Sequence, residues 1–158
     1  VDLCTSCPPE TTLSIFGKRA IPTGVAFGTV SIKGASAVYE VTTLRTESLY
    51  TDGRRPSQVE WGLSLKEDLK RRDFTMNSMA VDLNLRVLYD PHKGVKDLEQ
   101  RTIRAVGRPN ERCREDALRI LRAYRFWGVD NPTTWDIDNE LHHASPVGPR
   151  NFIFYLKI

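Results

Sequence analysis

The chain has 158 residues, of which 40% are hydrophobic and 27% charged, and its 23 Lys and Arg against 20 Asp and Glu leave a net charge of +3. That length suits one domain of ordinary size, and the apolar share is enough for a core, which excludes a disordered chain. No apolar run reaches membrane-spanning length, no signal-peptide pattern opens the sequence, and the mild basic bias excludes a histone-like tail.

Three cysteines, an odd number, point to free thiols in a reducing compartment, so a cytoplasmic location is expected. Cys4 and Cys7 form a C-x-x-C, but no second pair or histidine cluster supplies the further ligands of a zinc site. The first residue is Val1 rather than Met, so the sequence is expected to begin inside a longer protein.

Residues 26–33 (AFGTVSIK) and 37–44 (AVYEVTTL) are β-prone and flank Gly34-Ala35-Ser36, which predicts a hairpin. Residues 45–61 contain Asp52-Gly53 and Pro56 and are expected to form a long, mobile connector. Residues 65–79 read as one charged helix, followed by short alternating strands at 80–84 and 86–90. After the turn residues 90–94 (DPHKG) come a short helix near 96–100 and a strand at 102–106. Gly107 and Pro109 then lead into a longer helix over 110–126, with Asn110 as its N-cap. Strands early and helices late predict an α+β domain with one antiparallel or mixed sheet and flanking helices.

Three constellations carry chemistry. On the 110–126 helix, Ala117, Leu118, Leu121 and Tyr124 share one arc, the expected core stripe. Glu115, Asp116, Arg119 and Arg122 share another. A solvated face of ion pairs fits that spacing, and so does an array of donors and acceptors suited to the edge of a nucleobase. Arg125 continues the ridge, phased toward the apolar side. The second constellation is Arg71, Arg72 and Asp73 with Asn77. It could hold triphosphate oxygens and a ribose hydroxyl, or form a surface salt-bridge patch. The third is Asp2 with Glu40. On a strand, D-x-D turns two carboxylates toward one magnesium, and Asp2 would be the second acid of such a pair. Glu40 lies mid-strand, either as a supporting carboxylate or as an outward-facing solvated residue.

Taken in order, VDLCTS, IPTGVAFGTV, EVTTLRTESLYTDGRRP, EDLKRRDFTMNSMAVD, DPHKGVKDL and IRAVGRPNERCREDALRILRAYRF resemble the class II tRNA nucleotidyltransferase and poly(A) polymerase family. That resemblance covers Val1 to about Phe126. It implies a nucleotidyltransferase head with a palm-like sheet (residues 1–107) followed by the start of a helical neck (108–158). It also implies magnesium ions, CTP and ATP as nucleotides, and the tRNA 3′ end as acceptor, with no membrane partner. By resemblance Asp2 matches the second metal-binding aspartate, and Glu40 is the candidate third carboxylate. Arg71, Arg72 and Asp73 match the R-R-D motif that contacts ribose and phosphates, with Asn77 close by. Asp116 and Arg119 match E-D-x-x-R, in which the protein itself serves as template, and Arg122 and Arg125 fall on supporting family arginines. Residues 50–56 would belong to the loop that governs the C-to-A switch, and 90–94 to a hinge.

The resemblance implies template-independent addition of CMP and AMP to tRNA 3′ ends, that is, CCA addition. A poly(A) polymerase or A-adding enzyme of the same family, and a non-catalytic nucleotide- or RNA-binding remnant, remain as alternatives. The glycine-rich block and first catalytic aspartate of the family would precede Val1, so this chain alone is expected to be inactive. Residues 152–156 are apolar and uncharged, as suits a segment that packs on further helices.

Overall fold

A computed structural model describes residues 1–50, 56–129 and 135–144. They form two compact units, one of Val1–Leu49 and Pro56–Arg71, the other of Tyr50 and the described residues from Arg72 onward.

The first unit is built on a four-stranded sheet. Strand β1 (Asp2–Thr5) leads into helix α1 (Pro9–Phe16), then β2 (Ala20–Gly24), β3 (Thr29–Lys33) and β4 (Val38–Thr43). The spatial order is β1-β4-β3-β2, with β1 parallel to β4 and the other pairings antiparallel, so the sheet is mixed. The small-residue turn forms as expected, closed by a bond from the Gly34 amide to the Ala37 carbonyl (2.8 Å). Gly28 ends a short 3-10 turn at φ +85°, and a Cβ there would meet the Trp61 ring at 2.8 Å. Both the backbone conformation and the packing therefore demand glycine. Val30, Ile32, Leu44 and Leu69 are the buried apolar residues of this unit among those described.

Where the sequence suggests a long connector, the chain instead forms a two-stranded ribbon, β5 (Arg45–Tyr50) and β6 (Pro56–Trp61). The physical reason is visible in TESLY and PSQVEW: β-branched and aromatic residues sit on both sides of the breakers, which is hairpin composition. The expected switch loop at 50–56 falls largely on residues 51–55, outside the described residues, as does the apolar run 152–156. Helix α2 (Leu65–Lys70) then starts at Ser64, whose side chain accepts from the Glu67 amide at 3.3 Å.

The helix expected over 65–79 stops at Lys70. Asp73 folds its own carboxylate back onto the Phe74 amide (2.8 Å), and Phe74 enters the core of the second unit, where it bridges Ala105. A continuing helix could not deliver that ring. Residues Thr75–Asn77 form a single 3-10 turn. Strands β7 (Ala80–Asp82) and β8 (Val87–Tyr89) make the expected hairpin, and Asp90 accepts from the amides of Gly94 (2.6 Å) and Val95 (3.0 Å) to start helix α3 (Gly94–Glu99). Strand β9 (Thr102–Ile103) follows.

The helix expected over 110–126 is two helices, α4 (Pro109–Glu115) and α5 (Leu118–Val129). Its start also differs: Arg108 is the N-cap and Pro109 occupies the first turn, where its fixed φ suits a helix and its missing N–H costs nothing. Asp116 breaks the run. Its backbone is extended (φ −145°, ψ 104°) and its carboxylate accepts from the Leu118 amide at 2.9 Å, so it caps α5. That break resets the helical phase. Ile120 and Ala123 are buried, whereas Leu118 (39% exposed) and Leu121 (38%) leave the stripe expected of them.

Strand β10 (Asp136–Ile137) pairs in parallel with β9, and helix α6 (Asn139–His143) is capped by Asp138. Phe74, Ile103, Cys113, Ile120, Ala123 and Leu141 form the core, with Phe126 edge-on to Phe74 at 5.8 Å between ring centres. Buried Asp97 accepts from Thr75 Oγ1 (2.7 Å) and Arg104 Nε (3.3 Å), and Arg104 also pairs with Asp138. No described helix is long and apolar enough to cross a membrane.

Candidate nucleotide-binding site

Parallel pairing of β1 with β4 sets Asp2 directly beside Glu40. Paired residues on adjacent strands project to the same face, so two exposed carboxylates stand side by side on this sheet. The same row continues through Ser31, which pairs with Glu40 across β3 and shares a hydrogen bond with Thr23 (2.9 Å). Thr29 and Thr42 add another hydroxyl pair at 3.1 Å. This face is polar and oxygen-rich. Among the described residues no group of three or more His, Cys, Asp or Glu converges as a metal cage.

Arg71, also in the first unit, is braced from below. Its Nε (3.0 Å) and Nη2 (2.8 Å) both donate to Oδ1 of Asp68, a carboxylate only 1% exposed. The same oxygen accepts the backbone amide of Arg45 at 3.2 Å, so one buried acid ties the end of α2 to the foot of the β5–β6 ribbon. Fork geometry of the guanidinium makes such a pair directional.

The second unit holds Arg72, Asp73, Asn77, Asp116, Arg119, Arg122 and Arg125. Asp73 is the hub of one group: Oδ1 accepts from the Phe74 amide and from Asn77 Nδ2 (3.2 Å), while Arg122 Nη2 lies 2.8 Å from Oδ2. Arg119 anchors the other. It is only 7% exposed, and its Nη1 donates to Glu115 Oε2 (3.0 Å) and to the Arg112 carbonyl (3.3 Å), stapling α5 back onto α4. Arg112 pairs with the same Glu115 oxygen and donates from Nη2 to the Arg72 carbonyl at 3.1 Å. The R-R-D loop and the α4–α5 joint are thus fastened twice, through Arg112 to a backbone carbonyl and through Arg122 to a carboxylate. Asp116 sits half-buried at the joint as a cap, and Arg125 is exposed on α5.

Burial and neighbouring charges shift two groups of the second unit. Desolvation pushes the Cys113 thiol above its ordinary value, with Arg119 and Arg112 pulling it back and Asp116 adding to the rise. Arg104 titrates above its usual range: burial opposes this, but its hydrogen bond to Asp97 and the charges of Asp138 and Asp97 outweigh it.

Two structural participants had no place among the sequence-derived site residues. Asp68 was legible in principle, since it lies three residues before Arg71 on one helix face. Arg112 reaches a carbonyl forty residues away, a contact that no local pattern announces. A depression walled by Arg108, Glu111, Arg114, Glu140 and His143 contains none of the sequence-derived residues.

Residues 1–104 match the family described as the Poly A polymerase head domain. The CCA-adding enzyme of Streptococcus pyogenes serotype M3 is 52% identical over 126 residues, covering 80% of this chain and 31% of that protein. Among solved structures, the Bacillus stearothermophilus CCA-adding enzyme in complex with CTP superposes with a TM-score of 0.78 at 39% identity, over 91% of this chain and 33% of that one. A tRNA nucleotidyltransferase complexed with a primer tRNA and an incoming ATP analog gives 0.66 at 30% identity, over 91% and 39%. This chain therefore spans about a third of the length of the relatives it matches. Its mixed sheet with flanking helices and its head-domain match place it plainly: the chain belongs to the class II tRNA nucleotidyltransferase and poly(A) polymerase family.

Proposed function

We propose that the protein carrying this chain adds CMP and AMP, taken from CTP and ATP, to the 3′ end of tRNA in the cytoplasm, completing CCA without a nucleic-acid template. Residues 1–107 form its nucleotidyltransferase head, a reading the head-domain match over 1–104 supports, and residues 108–158 begin a helical neck. Asp2 and Glu40 would hold magnesium. Two exposed carboxylates on one polar face would suit that ion, a hard cation that prefers oxygen ligands. Bound there, it supplies charge stabilisation to the reacting phosphates.

Arg71 and Arg72 attract the triphosphate, and Asp73 with Asn77 addresses the ribose. Arg122 and Arg125 support the nucleotide from α5. Asp116 and Arg119 present acceptor and donor edges to the base, in place of a template strand. The observation that carries this reading is the double fastening of the R-R-D loop to the α4–α5 joint, through Arg112 to Arg72 and through Arg122 to Asp73. A reader of bases needs a fixed relation between the group that grips the sugar and the group that tests the base.

The experiment is direct. Full-length protein is incubated with tRNA lacking CCA, with each of the four nucleotides separately and in mixture, with and without magnesium. Magnesium-dependent incorporation of C and then A is expected. Long A-only tails would reassign the activity to poly(A) synthesis, and no incorporation at all would support a binding remnant.

A further inference from the structure

We infer that Arg112 is a positioning residue that sets nucleotide selectivity, acting through Glu115 on Arg119. This rests on the proposed base-reading role of Arg119. Arg112 is not itself among the groups assigned to substrate; its guanidinium links one of them, Arg72, to the partner of another, Arg119. One amino group, Nη2, donates to the Arg72 carbonyl at 3.1 Å, and the other, Nη1, pairs with Glu115 Oε2. That same oxygen receives Arg119 Nη1 at 3.0 Å. The result is a continuous chain from the phosphate-contacting loop to the base-testing guanidinium: Arg72 carbonyl, Arg112, Glu115, Arg119. Arg112 and Arg119 are both largely buried, with side chains 14% and 8% exposed, so neither can swing freely in solvent.

The chemistry of the residue matters. A guanidinium is planar and presents two amino groups at fixed spacing, so it can hold a carbonyl and a carboxylate at once. A lysine ammonium supplies the same charge from one point and cannot span both. Without the span, Glu115 remains paired with Arg119, but that pair loses its direct tie to the R-R-D loop, which Arg122 on Asp73 then holds alone. Arg119 then tests the base from a looser position, and cognate and non-cognate bases become harder to tell apart.

The test measures kcat/KM for CTP, ATP, UTP and GTP with full-length wild-type protein, Arg112→Lys and Arg112→Ala, alongside thermal melts of each. The selectivity of Arg112→Lys for CTP over UTP is expected to fall roughly 10- to 100-fold, the scale of a displacement near 1 Å at a positioned group. Its melting curve should remain cooperative. A folded Lys variant with wild-type selectivity would overturn the inference, because charge alone would then suffice. So would a uniform loss for all four nucleotides, or unfolding of both variants, since either makes the role purely structural. A wild-type protein that shows no base selectivity would instead strike at the proposed function, and the inference would fall with it.

Discussion

Arg119 Nη1 lies 3.0 Å from Glu115 Oε2, and the two residues belong to different helices that meet at Asp116. The pair spans a backbone break, so its removal loosens a joint rather than a single helix. Glu115→Ala takes one acceptor from the buried Arg119 guanidinium, and a stability loss of about 1–3 kcal/mol is expected from the lost charge-assisted bond. Urea denaturation of wild type and variant checks this, and an unchanged midpoint would show that the joint holds without Glu115.

Asp116 caps α5 and, in the proposed function, reads the base, and one substitution separates the two. Asparagine caps a helix about as well as aspartate, so Asp116→Asn should leave the melting temperature of the chain nearly unchanged. It also puts an amide donor where only acceptors stood. Base preference of the full-length protein should therefore shift while stability does not. Asp116→Ala, by contrast, should cost about 0.5–2 kcal/mol through the lost cap. Paired melts and single-nucleotide incorporation assays distinguish the two variants.

Gly94 is pressed against the 3-10 turn that follows the R-R-D loop. A Cβ on it would come within 2.2 Å of the Thr75 carbonyl oxygen. Backbone stands on the other side of that contact, so there is no flexible side-chain end to give way. Gly94→Ala should destabilise the chain by at least the 1–3 kcal/mol typical of overpacking. Thermal melting read by circular dichroism reports the shift.

Burial raises the Cys113 thiol pKa, so the fold favours the neutral thiol. In the unfolded chain that thiol ionises near its ordinary pKa of about 8.5. Its contribution to stability is therefore complete below that pH and declines as pH rises from there toward the raised folded value. Cys113→Ala should flatten this alkaline loss in pH-dependent melts. The same burial orders thiol reactivity: under native conditions iodoacetamide should label exposed Cys4 well before Cys113, as peptide mass spectrometry would show.

Local chemistry was legible where a short pattern carried it. The Gly34-Ala35-Ser36 turn and the strands around residue 85 could be read because each depends on neighbours within a few residues. Ser64-x-x-Glu67 even spells an N-terminal capping signature. The single helix over 110–126 failed for the same local reason: Asp116 is a capping residue inside an otherwise helical run, and periodicity counted across it assigned Leu118 and Leu121 to the wrong side. Asp2 and Glu40 were grouped as candidate carboxylates, but their adjacency depends on a parallel pairing across thirty-eight residues. Long-range contacts of that kind, like Arg112 on the Arg72 carbonyl, are settled by packing and leave no periodic trace.

One carboxylate oxygen, Oδ1 of Asp68, receives both the Arg45 amide and the Arg71 side chain. Ribbon exchange between homologues is therefore not a matter of loop length alone. A graft whose junction lies inside residues 45–71 separates the ribbon's first peptide group from the acid that seats it, and proline at position 45 would delete the amide altogether. Chimeras intended to transfer nucleotide preference should carry Arg45, Asp68 and Arg71 together as one cassette.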